Sequence, residues 1–311
     1  MKVAVLKGGR SLERGVSLRS AARVEDALTR LGHEVVSIDA GADLVDELTA
    51  HEPEVAFVAM HGPGGEDGTV QELLEILEIP FTGPGVAACI RCIDKALAKH
   101  ELRAAGVPTA DWLAFNETAF RELGATDALG RLEDRLGFPL VVKPSRGGSS
   151  LGVRFAASRT EVPEALVSAF SYDNRVLLER FVDGRELAVG ILGDEPLPVV
   201  EAILMSGDRY DFEARYEIGR TSFICPAELS EDEERAVNSA AIAAYEALGC
   251  TGFSRVDLIL EEAGPQVLEV NAIPGLTDTS LLPQAAEAAG MSFEELVDRI
   301  LKLASPTASR A

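Results

Sequence analysis

Two short segments near the C-terminal end carry polar side chains at alternate positions of otherwise apolar runs: Phe253-Ser254-Arg255-Val256-Asp257-Leu258-Ile259 and Val267-Leu268-Glu269-Val270-Asn271. Successive side chains of a strand point to opposite faces, so Arg255 and Asp257 share one face while Val256 and Leu258 share the other. In the second run Glu269 and Asn271 lie together, with Leu268 and Val270 opposite. Glu262-Ala263-Gly264-Pro265 joins the two as a turn, and pairing then brings two carboxylates and an amide oxygen to one place. All-oxygen donor sets suit magnesium, which keeps several waters and is completed by substrate phosphates. Either strand alone fits the solvated face of a sheet, but the two together point to a metal and, through it, to a nucleotide.

A phosphate-holding candidate lies upstream. Lys143-Pro144-Ser145-Arg146-Gly147-Gly148-Ser149-Ser150-Leu151-Gly152 follows an apolar strand and supplies a cation, hydroxyls and a pliable backbone whose amides can close over phosphate oxygens. It lacks the GxxxxGK[ST] order of a Walker loop, and such a loop by itself is often only a turn. Lys95 is a further cation at the start of a helical stretch. The opening Gly8-Gly9 turn invites a dinucleotide reading, with Asp39 as the ribose acid. GxGxxG is missing, however, and Asp39 lies further on than the roughly 20 residues that fingerprint expects, so Asp39 is expected to be a turn residue.

Composition bounds the rest. The 311 residues suggest two or three units at a prior of about 150 residues each. Asp and Glu outnumber Lys and Arg by 51 to 29, a field that repels nucleic acid and anionic membranes and obliges a phosphate ligand to find local cations. The N-terminal apolar stretch is far shorter than a signal core, no run reaches membrane-spanning length, and four cysteines make no disulfide framework, so a reducing cytoplasm is expected. Cys89 and Cys92 spell CxxC without a second pair and are expected to be packed thiols on a helix.

The elements that must position these groups follow from periodicity. Val3 to Leu6 is a strand, then a glycine turn, then a helix over Ser17 to Leu31. Val35 to Ile38 and Val55 to Ala59 are further strands flanking a helix at Leu44 to Thr49, the order of a parallel, doubly wound sheet. A helix from Asp94 to Ala104, strands at Pro139 to Pro144 and Val176 to Phe181, and a turn at Asp183-Gly184 complete a second unit. The third holds a polar loop over Tyr210 to Cys225, a helix over Glu231 to Leu248 and the two strands described first; Ser305 to Ala311 reads as a tail.

Beyond these patterns, the motifs resemble those of the D-alanine-D-alanine ligase family across Val3 to about Leu303. Gly8-Gly9-Arg10-Ser11-Leu12-Glu13-Arg14-Gly15-Val16-Ser17 is similar to that family's GGxSxExxVS opening, and His61-Gly62-Pro63-Gly64-Gly65-Glu66-Asp67-Gly68 to its HGxxGEDG loop. The resemblance implies an α/β fold, α+β in its later part: a Rossmann-like domain over 1–93, then two ATP-grasp subdomains over 94–183 and 184–311 that clasp the nucleotide. It implies that Glu13 contacts the ammonium of the first D-alanine and that His61 stands beside that substrate. Lys95, Lys143, Ser149 and Ser150 correspond to the triphosphate grip; Glu179, Arg180, Phe181 and Val182 to the adenine hinge; and Glu186 to the ribose contact. Phe212 and Arg215 lie in the segment resembling a mobile loop over the nucleotide. Tyr216 of that loop, with Ser149 and Glu13, makes a hydrogen-bonded set, and a tyrosine there favours an amine as second nucleophile. Asp257, Glu269 and Asn271 match ligands of two magnesium ions, with manganese as a substitute. Arg255 and the Gly275 amide match an oxyanion site, and Ser280 and Leu281 a carboxylate clamp for the second D-alanine.

The implied reaction is ATP-dependent: an acyl phosphate of one D-alanine is attacked by the amine of another, supplying a peptidoglycan precursor, in a cytoplasmic homodimer with no nucleic-acid or membrane partner. Gly15, Gly147, Arg215 and Ala272 depart from the commoner pattern without removing a ligand. The alternatives are a related ligase making another dipeptide or D-alanyl-D-lactate, a nucleotide-binding regulatory protein, and a nicotinamide oxidoreductase.

Overall fold

The computed structural model describes residues 1–123, 129–148, 151–204 and 221–304. Among them, chain order builds three sheets. The first is parallel, with β1 (Lys2–Lys7) between β2 (Glu34–Asp39) and β3 (Val55–Val58). Helices α1 (Arg14–Arg30) and α2 (Leu44–His51) connect these strands; α3 (Thr69–Ile76), α4 (Val86–Ile93) and α5 (Lys95–Ala104) follow. α1 begins three residues before the expected start at Ser17, because Glu13 already accepts the first helical bonds from Val16 and Ser17. Asp39 is the last residue of β2 and holds Arg14 (Nη1 to Oδ1, 2.7 Å), so it closes the Gly8-Gly9 turn as an ion-pair partner.

The second sheet is antiparallel in the order β4-β7-β5-β6, from Trp112–Asn116, Arg175–Arg180, Leu140–Pro144 and Arg154–Ala156 respectively. The third runs β11-β10-β8-β12-β13, with β9 (Glu195–Pro196) on β8 (Arg185–Leu192). Here β10 is Val200–Leu204, β11 Thr221–Ile224, β12 Phe253–Glu261 and β13 Gly264–Asn271. Thr221–Ile224 was expected within a polar loop; its β-branched and aromatic residues pair instead with β10 at the sheet edge. Gly264 and Pro265, expected in the turn, belong to β13, leaving a two-residue connection.

One face assignment is corrected. Asp257 pairs with Glu269 and Arg255 with Asn271, as the alternation requires, but the register slips between Asp257 and Leu258, so that Leu258 meets Val267. This bulge leaves Leu268 without an opposite residue, and Leu268 joins Glu269 in lining the cleft instead of turning to the core with Val270.

One continuous apolar core links the first and third sheets. It runs from Val3, Val5 and Phe57 through Val24 and Leu28 of α1 to Val256, Leu258 and the chain's last described helix, Phe293–Lys302. Cys89 and Cys92 are buried on α4, and the Cys92 sulfur lies 3.5 Å from that of Cys250, which bears out packed thiols. Among the described residues no helix is long and apolar enough to cross a membrane.

Because β12 is the strand on which the carboxylate face is built, its core side should be costly to hollow. Leu258→Ala, at a fully buried position, is expected to lower unfolding free energy by about 2–5 kcal/mol. In the same urea titration, Leu12→Ala at an exposed position should stay within about 0.5 kcal/mol.

Candidate active site

The second and third sheets face each other across a cleft of about 330 Å³. Its inner end is polar. Arg255 makes a two-pronged ion pair with Asp257 (Nε to Oδ1 and Nη2 to Oδ2, both 2.7 Å), and the Asn271 amide donates to Asp257 Oδ2 at 3.0 Å. Burial alone would lower the Arg255 pKa, but the Asp257 carboxylate outweighs it and holds the guanidinium firmly charged. Across the strand pair, Glu269 accepts Lys95 Nζ at 3.0 Å. Burial pushes the Glu269 carboxyl up, and Lys95 and Lys143 bring it below its ordinary range. The carboxylate pair expected from alternation therefore stands converged, with Glu269 held ionised and both carboxylates matched by protein cations.

Lys95 is aimed by Asp94. The Asp94 side chain caps α5 by accepting from the amides of Ala96 and Leu97, both at 3.1 Å, and takes the Ser145 hydroxyl at 2.8 Å. Arg146 and Arg175 stand 3.4 and 3.5 Å from its other oxygen. The start of α5 and the Gly/Ser loop are thereby clamped together, and Lys95 Nζ reaches the Gly147 carbonyl at 2.7 Å. Gly147 sits at φ +112°, where a side chain is strained, so a glycine suits its backbone. A Cβ on Gly148 would stand 2.9 Å from Glu13 Oε1 and one on Gly62 2.5 Å from Glu13 Oε2. The start of α1, the His61 loop and the Gly/Ser loop thus meet at the Glu13 carboxylate.

Behind the cleft, Glu179 of β7 is shared by Lys143 Nζ at 2.6 Å and Lys99 Nζ at 2.7 Å. Its carboxylate faces those lysines; Arg180, Phe181 and Val182 form the cleft edge. Arg180 bonds Glu261 at 3.2 Å, Phe181 stands edge-on to Phe155, and Val182 packs on Ile259 and Leu268. Glu186 and Leu281 also line the cleft. Sequence reasoning missed Lys99, a lysine inside a helix whose partner is named only by the fold, and it missed the apolar wall of Val200, Ala202 and Phe223. The Asp94 cap was available as a signal, an Asp immediately before a helix that starts with Lys95.

His61 is buried and hydrogen-bonded through both ring nitrogens, to Ser20 Oγ and the Ile273 carbonyl, each at 3.0 Å. Ser280 precedes the helix Leu281–Ala288 and holds the Thr277 amide at 3.0 Å; a Cβ on Gly275 would lie 2.8 Å from its hydroxyl. Ser149, Ser150, Phe212, Arg215 and Tyr216 lie outside the described residues.

Two antiparallel sheets closing on a cleft of this kind define an ATP-grasp enzyme. Residues 102–302 match the family described as D-ala D-ala ligase C-terminus, and residues 42–84 match D-ala D-ala ligase N-terminus. A D-alanine--D-alanine ligase of Syntrophotalea carbinolica is 45% identical, covering 98% of this chain and 96% of its own. The ligase of Desulforamulus reducens is 42% identical, covering 98% of each chain. Among solved structures, the D-alanine--D-alanine ligase from Bacillus anthracis complexed with ATP superposes with a TM-score of 0.84 at 33% identity, over 98% of this chain and 97% of that one. The VanG D-Ala:D-Ser ligase from Enterococcus faecalis gives 0.82 at 28% identity, over 98% and 99%. The chain belongs to the D-alanine-D-alanine ligase family.

The buried lysine pair sets a pH signature. Burial brings Lys99 from its ordinary 10.5 to about 8 despite Glu179. Between these values the unfolded chain binds the proton and the folded one does not, so this group makes stability rise with pH there. Burial raises the Glu179 carboxyl, and Lys143 and Lys99 more than reverse this. Its contribution is therefore whole above the ordinary carboxyl range and is lost as pH falls below it. Urea titrations across pH should show a wild-type minus Lys99→Met difference that climbs from about 8 to 10.5. Glu179→Gln, leaving two lysines unmatched, should cost about 3–5 kcal/mol at neutral pH and flatten the acid limb.

Proposed function

We propose that this chain joins two D-alanine molecules into D-alanyl-D-alanine, with ATP converted to ADP and phosphate, as its family membership implies. The observation that carries this is the one cleft that Lys95, Lys143, Arg255, Asp257, Glu269 and Asn271 all line. The donor set fits magnesium, two ions or manganese in their place, since Asp257, Glu269 and Asn271 offer only oxygen ligands once their protein cations let go. Magnesium bound there supplies charge neutralisation to the phosphates.

The remaining work falls to side chains. Lys95 and Lys143, held by Gly147 and Glu179, bind the phosphates, and the Gly/Ser loop with Ser149 and Ser150 covers them. The adenine lies against the edge of Arg180, Phe181 and Val182, with Val200, Ala202 and Phe223 as its apolar wall, and Glu186 takes the ribose. Phe212 and Arg215 belong to the segment assigned to cover the nucleotide. Glu13 orients the ammonium of the first D-alanine, so that its carboxylate attacks the γ-phosphate; such transfer depends on position and spread charge more than on covalent help. Arg255 and the Gly275 amide then stabilise the oxyanion formed when the amine of the second D-alanine attacks the acyl phosphate, and Ser280 and Leu281 hold that molecule's carboxylate. Tyr216, with Ser149 and Glu13, completes the set around the amine. The partition at 1–93, 94–183 and 184–311, a homodimer and a cytoplasmic setting are part of the same proposal.

The likeness to a D-Ala:D-Ser ligase makes the second nucleophile the point to test. Phosphate release should require D-alanine and ATP, with L-alanine inert and D-serine or D-lactate much poorer; equal use of D-serine would move the assignment to a mixed ligase. Arg255→Ala should lower kcat by about a hundredfold to a thousandfold with ATP affinity little changed. Retained turnover in that variant would remove Arg255 from the oxyanion site.

A further inference from the structure

The loop from Ala272 to Ser280 joins β13 to the helix Leu281–Ala288 and carries Gly275. Its backbone is held from the opposite end of the chain. The Ile273 carbonyl accepts from His61 Nδ1 at 3.0 Å, the Leu276 amide donates to Ser20 Oγ at 3.1 Å, and the Leu276 carbonyl accepts from Arg23 Nη1 at 2.8 Å. Arg23 is itself fixed, with its guanidinium 3.9 Å from the Phe293 ring centre and Nε 2.9 Å from Asp278. Ser20 is fully buried, as are the Ile273 and Leu276 side chains to within a percent.

The hydrogens along this chain of contacts follow from chemistry. A carbonyl only accepts, so His61 carries a proton on Nδ1. An amide only donates, so Ser20 Oγ accepts from Leu276 and its own proton is free for His61 Nε2, at 3.0 Å. One serine thus supports both the ring beside the first-substrate site and the peptide next to Gly275. Glu13, Val16, Ser20 and Arg23 recur at helical spacing along one face of α1, and Val16 Cγ1 would stand 3.8 Å from a Cβ on Gly275.

We infer that Ser20 and Arg23 are positioning residues that set the aim of the Gly275 amide and of the second-substrate clamp from the helix whose first turn is opened by Glu13. This rests on the assignment of the loop to the second D-alanine. The helix acts as a spacer, fixing the distance between the ammonium contact of one substrate and the oxyanion and carboxylate contacts of the other. Ser20→Ala removes the acceptor of Leu276 and the donor to His61 together, while touching nothing in the nucleotide cleft.

The test is the dependence of turnover on D-alanine and ATP in wild type, Ser20→Ala and Arg23→Met, with thermal unfolding followed in parallel. Small errors in aim at a reacting centre are expensive, so Ser20→Ala should raise KM for the second D-alanine about tenfold and lower kcat about ten- to a hundredfold. Its KM for ATP should stay within about twofold, and Arg23→Met, more exposed and safer to fold, should show the same split at smaller size. Nitrogen-15 NMR of wild type should find the His61 proton on Nδ1. Unchanged D-alanine kinetics in both variants, an ATP KM that rises in step with that of D-alanine, or a His61 proton confined to Nε2 would each overturn the inference. A wild type that releases no phosphate with D-alanine would instead remove the ligase assignment beneath it.

Discussion

A polyanion can settle on a chain of net charge −22 only where cations are gathered and kept from being neutralised by the carboxylates around them. The Lys99, Glu179 and Lys143 cluster answers that constraint. One buried carboxylate shared by two buried lysines leaves an excess positive charge at the base of the cleft, and the low polarity around it strengthens its field. Lys143 is therefore anchored by a carboxylate that it shares with a second cation. Without the second lysine, Lys143 and Glu179 would form a neutral pair, and the chain's overall repulsion of anions would reach into the site. A similar pairing occurs on the opposing side of the cleft, where Lys95 and Arg255 hold Glu269 and Asp257 converged. On the proposed function, Asp257 and Glu269 would hold magnesium, which would neutralise phosphate charge, and Lys95 and Arg255 would be left to face the substrates.

Geometry couples these charges because each comes from a different element. Lys95 opens α5, Lys143 ends β5, Glu179 lies on β7, and Asp257 and Glu269 stand opposite each other on β12 and β13. Asp94 clamps the start of α5 to the loop after β5, so Lys95 and that loop are held as one assembly instead of two independent parts. The continuous core through α1 and the last described helix ties the first sheet to the third, so groups divided between them hold a fixed spacing.

Local rules carried much of this into the sequence. Period-two alternation named the faces of β12 and β13, the Gly8-Gly9 turn after an apolar run marked the first sheet, and motif resemblance named the family. What stayed hidden depends on contacts between distant residues. A register slip moved Leu268 to the cleft, and a slip is decided by both strands together, not by either one's pattern. Lys99 looks like any lysine on a helix until β7 brings Glu179 to it. Ser20 is a small residue on a helix face whose meaning appears only when Leu276, 256 residues away, is placed beside it.

The hidden groups share a chemical trait that explains their invisibility. Direct ligands must have particular atoms at particular spacings, and spacing survives in sequence. Groups that hold those ligands need only satisfy a donor or an acceptor, and many residue types at many positions can do so. Lys99, Asp94, Ser20 and Arg23 belong to this second kind, and all four act on backbone groups or on another charged side chain. For Lys99, Asp94 and Ser20, which are buried, the cost when lost is nonetheless that of a buried polar group left without its partner.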